Sequence, residues 1–460
     1  MTKYSPQPLP PGPLYQAIVQ ALARDIRAGT LKPLDRLPTH RDLADDLGVT
    51  VGTVTRAYKL AQRRGLIRGE VGRGSYVAGP GSDVLPQHEI TTLPPEVLDL
   101  RLNLPPYDRG PDLNQVLERM SRGGDLAELL KYQPSAGMPR HRAAGAAWIR
   151  MCGLEVGADE VVICNGAQHA ILTVLTALAR PGDTVLAEAL TYPGVKTLAG
   201  ILGLRLEPVA MDEEGLIPES LDAVCRRRKA RVLYCMPTLH NPTTGTLSEA
   251  RRREIARLAE FHDLYIIEDD VHRLLPREVA PPVAAFARRR TFYIPGISKT
   301  LAGGLRIAYL TAPRKFQEAL TRGIAATTWL APPLMAEIAA IWIEDGTALR
   351  TLENKREEAA VRQEMAARIL GSHVGRRGTA AYHLWLELPA PWRGSQFAEE
   401  STRAGVSVLP AELFTVGHAQ APQAVRVSLT AAPDRAVLNA GLRRLAELLD
   451  RPPEPAPFIL

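Results

Sequence analysis

The sequence has few cysteines and lacks an apolar run long enough to cross a membrane. Its 460 residues include four cysteines, Cys152, Cys164, Cys225 and Cys235, which form no CxxC pair and have no histidine cluster beside them. Neither a disulfide framework nor a zinc site is therefore indicated, and we expect reduced, buried thiols. The longest apolar runs fall well short of a membrane span, and residues 1–16 lack the apolar core of a signal peptide. We expect a soluble, cytoplasmic protein with no membrane association.

Most of the chain also lacks an excess of either charge. Residues 81–460 carry 44 Lys and Arg against 44 Asp and Glu, whereas residues 1–80 carry 12 against 6. The net charge of +6 therefore lies entirely in the first segment. A basic excess confined to one segment indicates a polyanionic partner for that segment. The length of the chain favours two or more domains.

The first segment has the pattern of three helices followed by a hairpin. An apolar residue at every fourth position predicts a helix over residues 14–28. Thr39 can cap a second helix that ends at Gly48, and VTVGTVTRAYKLAQRRG predicts a third helix over about residues 50–64. The stretch LIRGEVGRGSYVA alternates around glycines, which predicts a small hairpin.

Strand and helix patterns alternate after a Gly- and Pro-rich linker. Short apolar strands are expected at VVIC, TVLAEA, RVLYCMP, LYIIEDD and TFYIPG, with helices between several of them, which predicts a mainly parallel α/β sheet. The later helical stretch TALRTLENKREEAAVRQEMAARIL and the strands YHLWLEL and AVRVSLT predict a smaller α+β lobe. The expected boundaries are 1–78 for the first domain, 79–97 for the linker, 98–450 for the α/β domain with its smaller lobe at 331–450, and 451–460 for a tail.

The order helix, helix, turn, helix, basic hairpin is that of a winged helix-turn-helix, whose third helix enters the major groove and whose wing contacts backbone or minor groove. Three segments resemble the N-terminal domain of the GntR regulator family: LYQAIVQALARDIRAG, DRLPTHRDLADDLGVTVGTVTRAY and GLIRGEVGRGSYV. Val51 stands where many relatives carry a polar residue, and it could meet a thymine methyl group. The DNA contacts that the resemblance implies are Arg41, Thr50, Thr53 and Arg56, with Gly72 and Arg73 in the wing.

The stretch SKTLAGGLR brings a lysine and an arginine together after a predicted strand. The Lys299 amine can form a Schiff base with a carbonyl compound. Arg306 can hold a phosphate through two hydrogen bonds, and Ser298 can add a hydroxyl. This spacing fits pyridoxal 5′-phosphate (PLP) if the lysine reacts with its aldehyde and the arginine binds its phosphate.

The other parts of a PLP site follow the same logic. An Asn-Gly turn before a helix presents free N–H groups to a phosphate, and an acid at the end of a buried strand can pair with a protonated pyridine nitrogen. An amide can donate to the phenolate oxygen, and an aromatic ring can stack on the cofactor. The candidates for these roles, in that order, are Gly166, Ala167 and Gln168; Asp269 or alternatively Asp270; Asn241; and Tyr192.

This constellation resembles the fold-type I PLP enzymes of the aminotransferase group over roughly residues 98–450. The word KYQPSAGMPRHRAA matches YxPxxGxPxLR, which assigns Tyr132 to the phosphate of the neighbouring subunit's cofactor. The strand AVRVSLT matches the family's carboxylate-binding arginine, here Arg426. His272 stands where the enzymes usually carry a tyrosine that contacts the cofactor, which favours cofactor binding over efficient turnover.

A GntR-type domain, a linker and an aminotransferase-like domain in this order resemble the MocR subfamily of bacterial regulators. The resemblance implies a domain-swapped homodimer that binds a double-stranded DNA operator and is then associated with the nucleoid. It also implies a sensor of PLP itself, or of an amine or amino acid through aldimine exchange at Lys299. Two alternatives stay open: a working transaminase with Lys299 as general base, and a DNA-binding protein whose α/β domain only dimerises.

Overall fold

Two compact units make up the chain, one comprising Met1–His88 with Lys196–Gly203 and the other Glu89–Val195 with Leu204–Leu460. Among the described residues, none of the helices combines the length and the apolar character that a membrane span requires. The predicted wing residues Gly72 and Arg73 lie outside the described residues, as does most of the predicted linker. The computed structural model describes residues 4–6, 8–10, 12–27, 30–32, 35–63, 66–70, 74–77, 93–123, 126–375, 380–417 and 420–451.

The N-terminal unit contains the three predicted helices and the hairpin. The Thr39 hydroxyl accepts a hydrogen bond from the Asp42 N–H at 3.2 Å, and Gly48 ends the second helix with a φ of +63°. The third helix begins one residue later than predicted because Thr50 is its cap, accepting from the Thr53 N–H at 3.2 Å. The elements are α1 (Leu14–Arg27), α2 (His40–Leu47), α3 (Val51–Arg63), β1 (Ile67–Glu70) and β2 (Gly74–Val77), with β1 and β2 antiparallel.

Apolar faces of the three helices form the core of this unit. Ile18 and Leu22 of α1 pack with Leu43 of α2 and with Val54 and Tyr58 of α3, and all five side chains are buried. The apolar side of each helix is therefore buried and the other side faces solvent, as is typical of amphipathic helices.

The remaining elements confirm the predicted α/β organisation. The helices are α4 (Leu113–Gly123), α5 (Pro139–Met151), α6 (Ala167–Leu178), α7 (Pro193–Ile201), α8 (Pro218–Arg227), α9 (Glu249–Phe261), α10 (Val283–Phe286), α11 (Gln317–Thr327), α12 (Pro333–Glu344), α13 (Thr347–Leu370), α14 (Gly394–Arg403) and α15 (Arg435–Leu449). The strands are β3 (Leu98–Asp99), β4 (Val161–Cys164), β5 (Thr184–Glu188), β6 (Arg205–Val209), β7 (Val232–Cys235), β8 (Tyr265–Asp269), β9 (Thr291–Ile294), β10 (Ala308–Thr311), β11 (His383–Glu387), β12 (Val406–Ser407), β13 (Leu409–Pro410) and β14 (Ala424–Ser428).

Seven of the described strands form one large sheet in the order β4-β10-β9-β8-β7-β5-β6. All are parallel except β10, which runs antiparallel to both of its neighbours. The carboxyl ends of the parallel strands therefore meet at one edge, where ligands bind in sheets of this kind. Because β10 is reversed, its amino end lies at that same edge, and this brings Arg306 to the residues that follow β4, β8 and β9.

The smaller lobe is built on the antiparallel order β11-β14-β13 and on α13, which spans the predicted residues 347–370. Its core includes the buried residues Leu384, Phe397, Val427 and Leu442. The start of the larger unit also belongs here, since β3 pairs in parallel with β12. A two-residue strand has no detectable periodicity, so the sequence did not predict this pairing.

The predicted burial of the cysteines is confirmed for three of the four. All four cysteines are free thiols; Cys152, Cys164 and Cys235 are buried and Cys225 is partly buried. Groups of three or more His, Cys, Asp or Glu that could hold a metal ion are absent from the described part of the chain.

Candidate functional site

Arg306 and the Asn-Gly turn form one anion-binding corner of the sheet edge. Gly166 precedes α6 with a φ of +85°, and a Cβ atom there would lie 2.6 Å from Nη2 of Arg306, so the guanidinium packs directly against the Gly166 backbone. The Arg306 side chain forms no hydrogen bond or ion pair within the described residues, and its own φ of +51° is left-handed. Such a conformation costs a non-glycine residue on the order of 1–3 kcal/mol. A free guanidinium beside the N–H groups of Ala167 and Gln168 can bind a phosphate.

Lys299 lies five residues beyond β9 at the same edge. Its amine donates a hydrogen bond to the Asn103 carbonyl, and its own carbonyl accepts from the Tyr382 hydroxyl at 2.9 Å. Burial lowers the pKa of the Lys299 amine to about 8, and the charges of Arg426 and Arg306 contribute to this. The unprotonated, nucleophilic form is thus far more abundant near neutral pH than in an ordinary lysine.

Asp269 ends β8 as a buried carboxylate with one free oxygen. The Tyr234 hydroxyl donates to Oδ2 at 2.6 Å, whereas Oδ1 is buried and has no partner among the described residues. Burial raises the pKa of Asp269 to about 7, and the neighbouring carboxylates Asp270 and Glu188 add to this. An unpaired buried oxygen is costly, and a cationic N–H group of a ligand would satisfy it.

Asp270, the alternative candidate, bonds to a different group. It follows Asp269 directly, and successive residues of an extended chain point to opposite faces. Its Oδ2 accepts a hydrogen bond at 3.3 Å from Tyr293, which belongs to a separate apolar cluster with Cys152, whereas its Oδ1, like that of Asp269, is buried and has no partner among the described residues. The partly buried ring of Tyr192, by contrast, lies near enough to Asp269, Arg306 and Arg426 for their charges to act on its hydroxyl, whose pKa is raised chiefly by desolvation. The structure therefore groups Tyr192 and Asp269 and leaves Asp270 outside this group.

Arg426 and Asn241 are joined in the buried floor of the site. Nη1 of Arg426 donates to Oδ1 of Asn241 at 2.7 Å, and Nη2 donates to the Arg101 carbonyl. The guanidinium carbon lies 5.0 Å from the centre of the Phe414 ring. Burial lowers the pKa of Arg426 to about 10, so the side chain stays charged near neutral pH. Because the Asn241 oxygen accepts from Arg426, its NH₂ group remains to donate to a ligand.

His272 is neutral and has a defined tautomer. Burial, reinforced by the Lys299 charge, lowers the pKa of His272 to about 3. Its Nε2 lies 3.4 Å from the Asn103 amide nitrogen and its Nδ1 lies 3.1 Å from the Leu239 carbonyl. An amide nitrogen only donates and a carbonyl only accepts, so Nδ1 carries the hydrogen and Nε2 accepts. His272 therefore cannot donate through Nε2 as a tyrosine hydroxyl would.

Two predicted residues stand apart from these contacts. Tyr132 is 87% exposed, and its ring centre lies 5.9 Å from that of Trp329. Ser298 is partly buried next to Lys299, and its hydroxyl forms no hydrogen bond within the described residues.

Sequence reasoning missed Asn103, Tyr234 and Tyr382. The contact between Lys299 and Asn103 joins residues 196 positions apart, and no local pattern marks either partner. Tyr234 could have been found, because it lies in the predicted strand that pairs with the strand ending at Asp269.

The predicted DNA contacts lie on α2 and α3 of the N-terminal unit. Arg41, Val51 and Arg56 are exposed. The hydroxyls of Thr50 and Thr53 lie 2.9 Å apart, so part of their hydrogen-bonding capacity is used in capping α3. The Arg56 guanidinium carbon lies 4.2 Å from the centre of the Tyr15 ring, which holds this arginine in place on the surface of α3.

Comparisons with known proteins match both units. The aminotransferase class I and II family matches residues 95–445, and the gntR family of bacterial regulatory proteins matches residues 14–77. The uncharacterized HTH-type transcriptional regulator YdeF of Bacillus subtilis is 32% identical over 440 residues, which cover 95% of each chain. The vitamin B6 salvage pathway transcriptional repressor PtsJ of Salmonella typhimurium is 29% identical over 401 residues, which cover 87% of this chain and 90% of PtsJ.

A solved structure is similar to most of this chain. The α-aminoadipate aminotransferase LysN of Thermus thermophilus, complexed with N-(5′-phosphopyridoxyl)-L-leucine, is 25% identical with a TM-score of 0.72. The match covers 81% of this chain and 96% of LysN.

Proposed function

We propose, since this chain belongs to the aminotransferase class I and II family and carries a gntR-family DNA-binding domain, that it is a transcription regulator whose larger unit binds PLP as a sensor. Its two-part architecture is that of the MocR subfamily, and the regulators YdeF and PtsJ are similar to it over 95% and 87% of its length. The observation that carries the sensor proposal is the buried, unpartnered Oδ1 of Asp269 at the same sheet edge as Lys299 and Arg306.

The residues at this edge fit PLP group by group. Arg306 and the first N–H groups of α6 would hold its phosphate, Asp269 its pyridine nitrogen and Lys299 its aldehyde. The Asn241 NH₂ group would donate to its phenolic oxygen, and Tyr192 would cover its ring. When bound, PLP supplies an aldehyde that reacts reversibly with amines and a ring that withdraws electrons.

The side chains of this chain would then select an effector. Arg426 offers a buried cation for a carboxylate, which favours an amino acid over a simple amine. Asn241 accepts a hydrogen bond from Arg426 and would donate one to the phenolic oxygen of PLP. It thus connects the carboxylate-binding group with the cofactor-binding part of the site. PLP itself is the other effector that the proposal allows. A ligand changes DNA binding only as far as it binds two states of the protein differently.

DNA binding that responds to PLP tests this function. On DNA upstream of its own gene, we expect a footprint whose apparent Kd changes on addition of PLP. We expect Arg41→Ala to weaken binding by about 5- to 100-fold and to reduce the salt slope by about one unit, because Arg41 is exposed on α2 beside the third helix. Arg24→Ala is the matched control, since Arg24 is paired with Asp25 on α1. Equal effects of the two variants would contradict the assignment of Arg41.

Gly166→Ala tests the phosphate corner. The new Cβ would displace the Arg306 guanidinium, and loss of a charge-assisted pair should raise the Kd for PLP by about 10- to 100-fold. Gly182→Ala is the matched control, because Gly182 has a φ of +91° and a Cβ atom there would meet no other atom within 4 Å. Each variant places a side chain at a φ that favours glycine, so unchanged affinity in Gly166→Ala, measured by fluorescence titration, would remove Arg306 from the phosphate site.

A working transaminase is the second candidate. The lowered pKa of the Lys299 amine favours it, since such an amine is suited to act as a general base near neutral pH. The neutral, acceptor-only Nε2 of His272 favours the regulator. Steady release of keto acid from amino acids by the PLP-loaded protein, with no footprint on DNA, would support the transaminase and contradict the regulator.

A second copy of this chain is the proposed occupant of the exposed surface around Tyr132. Leu130, Tyr132 and Trp329 are 85%, 87% and 59% exposed, an unusual exposure for large apolar side chains. The family resemblance implies that Tyr132 reaches the cofactor of the neighbouring subunit, and its high exposure supports this proposal. Sedimentation velocity that gave only the 50.2 kDa of one chain at micromolar concentration would contradict this dimer.

A further inference from the structure

Residues 98–104, here called the leading segment, join the smaller lobe to the Lys299 site. The N–H groups of Leu98 and Leu100 donate to the carbonyls of Gly405 and Ser407, both at 2.9 Å, and the Leu100 carbonyl accepts from the Ser428 N–H at 2.9 Å. The segment is therefore bonded to the smaller lobe on two sides. It follows directly on the predicted linker at 79–97, to which it is covalently continuous.

Three carbonyls of the leading segment are held by side chains. Nη2 of Arg426 donates to the Arg101 carbonyl, and the Lys299 amine donates to the Asn103 carbonyl. The Thr430 hydroxyl donates to the Leu104 carbonyl. Hydrogen bonds to charged donors are stronger than those between neutral groups, so the first two contribute most to holding the segment.

Two of these three donors, Lys299 and Arg426, are also the groups that would bind a ligand. When the Lys299 amine condenses with the aldehyde of PLP, a carbon–nitrogen double bond forms and the carbonyl oxygen leaves as water with both amine hydrogens. The imine nitrogen then carries at most one hydrogen, and the phenolic oxygen of PLP would accept it in place of the Asn103 carbonyl. A carboxylate at Arg426 would likewise compete with the Arg101 carbonyl, because an ionised acceptor is preferred over a neutral one.

We propose that occupation of the site releases the leading segment at Asn103 and Arg101, and that this segment carries the state of the site to the linker. The inference rests on the proposed function, because it presumes that PLP reacts with Lys299. A switch requires contacts that differ between its two states. Here these contacts are two hydrogen bonds to the leading segment, which are present in the free protein and absent from the loaded protein. Thr430 is a positioning residue in this scheme, since it holds the same segment and touches no ligand group.

Hydrogen–deuterium exchange on the full chain measures the release. With PLP added, peptides that cover residues 98–104 should exchange about threefold faster or more, because their backbone has lost two anchors. Lys299→Ala should show the faster exchange without PLP and no change with it. If borohydride reduction fixes PLP on Lys299 while exchange of the segment stays the same, this inference is wrong and the proposed function stands. If no adduct forms, the proposed function fails first.

Thr430→Val tests whether the segment transmits the signal. The variant removes the bonds of this hydroxyl to the Leu104 and Tyr382 carbonyls and leaves Lys299 and Arg426 in place, so PLP should still attach. Because the segment is already loosened, we expect the PLP-dependent change in DNA affinity to fall to half or less of its normal factor. Thr291→Val is the matched control, since the Thr291 hydroxyl is also buried and donates to a carbonyl, that of Ala287 at 3.0 Å. Equal PLP responses in the two variants and the natural chain would overturn the inference.

Discussion

Lys299→Ala is expected to abolish covalent attachment of PLP completely. Among the groups gathered at the sheet edge, Lys299 has the amine that combines proximity to Arg306 and Asp269 with a pKa lowered to about 8. Without that amine the aldehyde has no nucleophile within the site. The natural chain should show a visible absorption band and, after borohydride reduction and digestion, a pyridoxyl adduct on the peptide that contains Lys299. The variant should show neither.

Lys355 provides a demanding control for this result. It is a buried lysine whose pKa is likewise lowered to about 8, in this case by burial alone. Its amine donates to the Leu301 carbonyl at 2.5 Å, just beyond the Lys299 turn. We expect Lys355→Met to keep the adduct on Lys299. An adduct on Lys355 in the natural chain would show that a low pKa, rather than the arrangement around Lys299, selects the amine.

The pH dependence of attachment follows from the same pKa. The nucleophile is the unprotonated amine, so the rate should rise as the pH increases through about 8 and level off above it. An unperturbed lysine would continue to gain rate up to about pH 10.4. Stopped-flow absorbance between pH 6 and pH 10 distinguishes these two profiles.

Asp269→Asn is expected to have two large effects of opposite sign. The amide cannot pair with a cationic ring nitrogen as a carboxylate does, and a buried, charge-assisted pair is worth several kcal/mol. The Kd for PLP should therefore rise by about 100-fold or more. The free protein, by contrast, should become more stable near pH 8, because it no longer contains this buried, unpaired charge.

The sign of the stability effect follows from the raised pKa. Asp269 titrates near 7 in the folded chain and near 3.8 otherwise, so folding favours its protonated form. Its destabilising contribution is absent below about pH 4, grows as the pH rises to about 7, and reaches at most about 4 kcal/mol. The melting temperature of the cofactor-free Asn variant should thus exceed that of the natural chain at pH 8 and match it near pH 4.

Asp270→Asn is the control for the loss of affinity. Asp270 is equally buried and acidic, but it accepts a hydrogen bond from Tyr293, whereas the Lys299 charge acts on Asp269. Its substitution should leave the Kd for PLP within about threefold of the natural value. A large loss of affinity in Asp270→Asn with little loss in Asp269→Asn would assign the ring nitrogen to the other carboxylate.

Local sequence patterns determined most of the elements. Strand β4 and helix α13 have the predicted bounds, and α1 and α2 differ by a residue at most. Thr39 and Gly48 cap α2 as expected. These features depend on interactions between residues close in sequence, which alternation, periodicity and capping record directly.

The tertiary structure decided how those elements share one site. The reversal of β10 brings Arg306 onto the Gly166 turn, and the pairing of β3 with β12 carries the leading segment past Lys299. Asn103 meets Lys299 and His272 only because three distant stretches of chain fold together.

By itself, the sequence determined the order of the two domains, the buried strands and the lysine–arginine pair, because each of these depends on residues that are close together in the sequence. Which oxygen of Asp269 lacks a partner, which hydrogen His272 keeps and which carbonyls Lys299 and Arg426 hold were decided by the tertiary structure alone. The physical reason is that burial and hydrogen-bond partners come from contacts across the chain, and these contacts set both the pKa values and the donors that a ligand must displace.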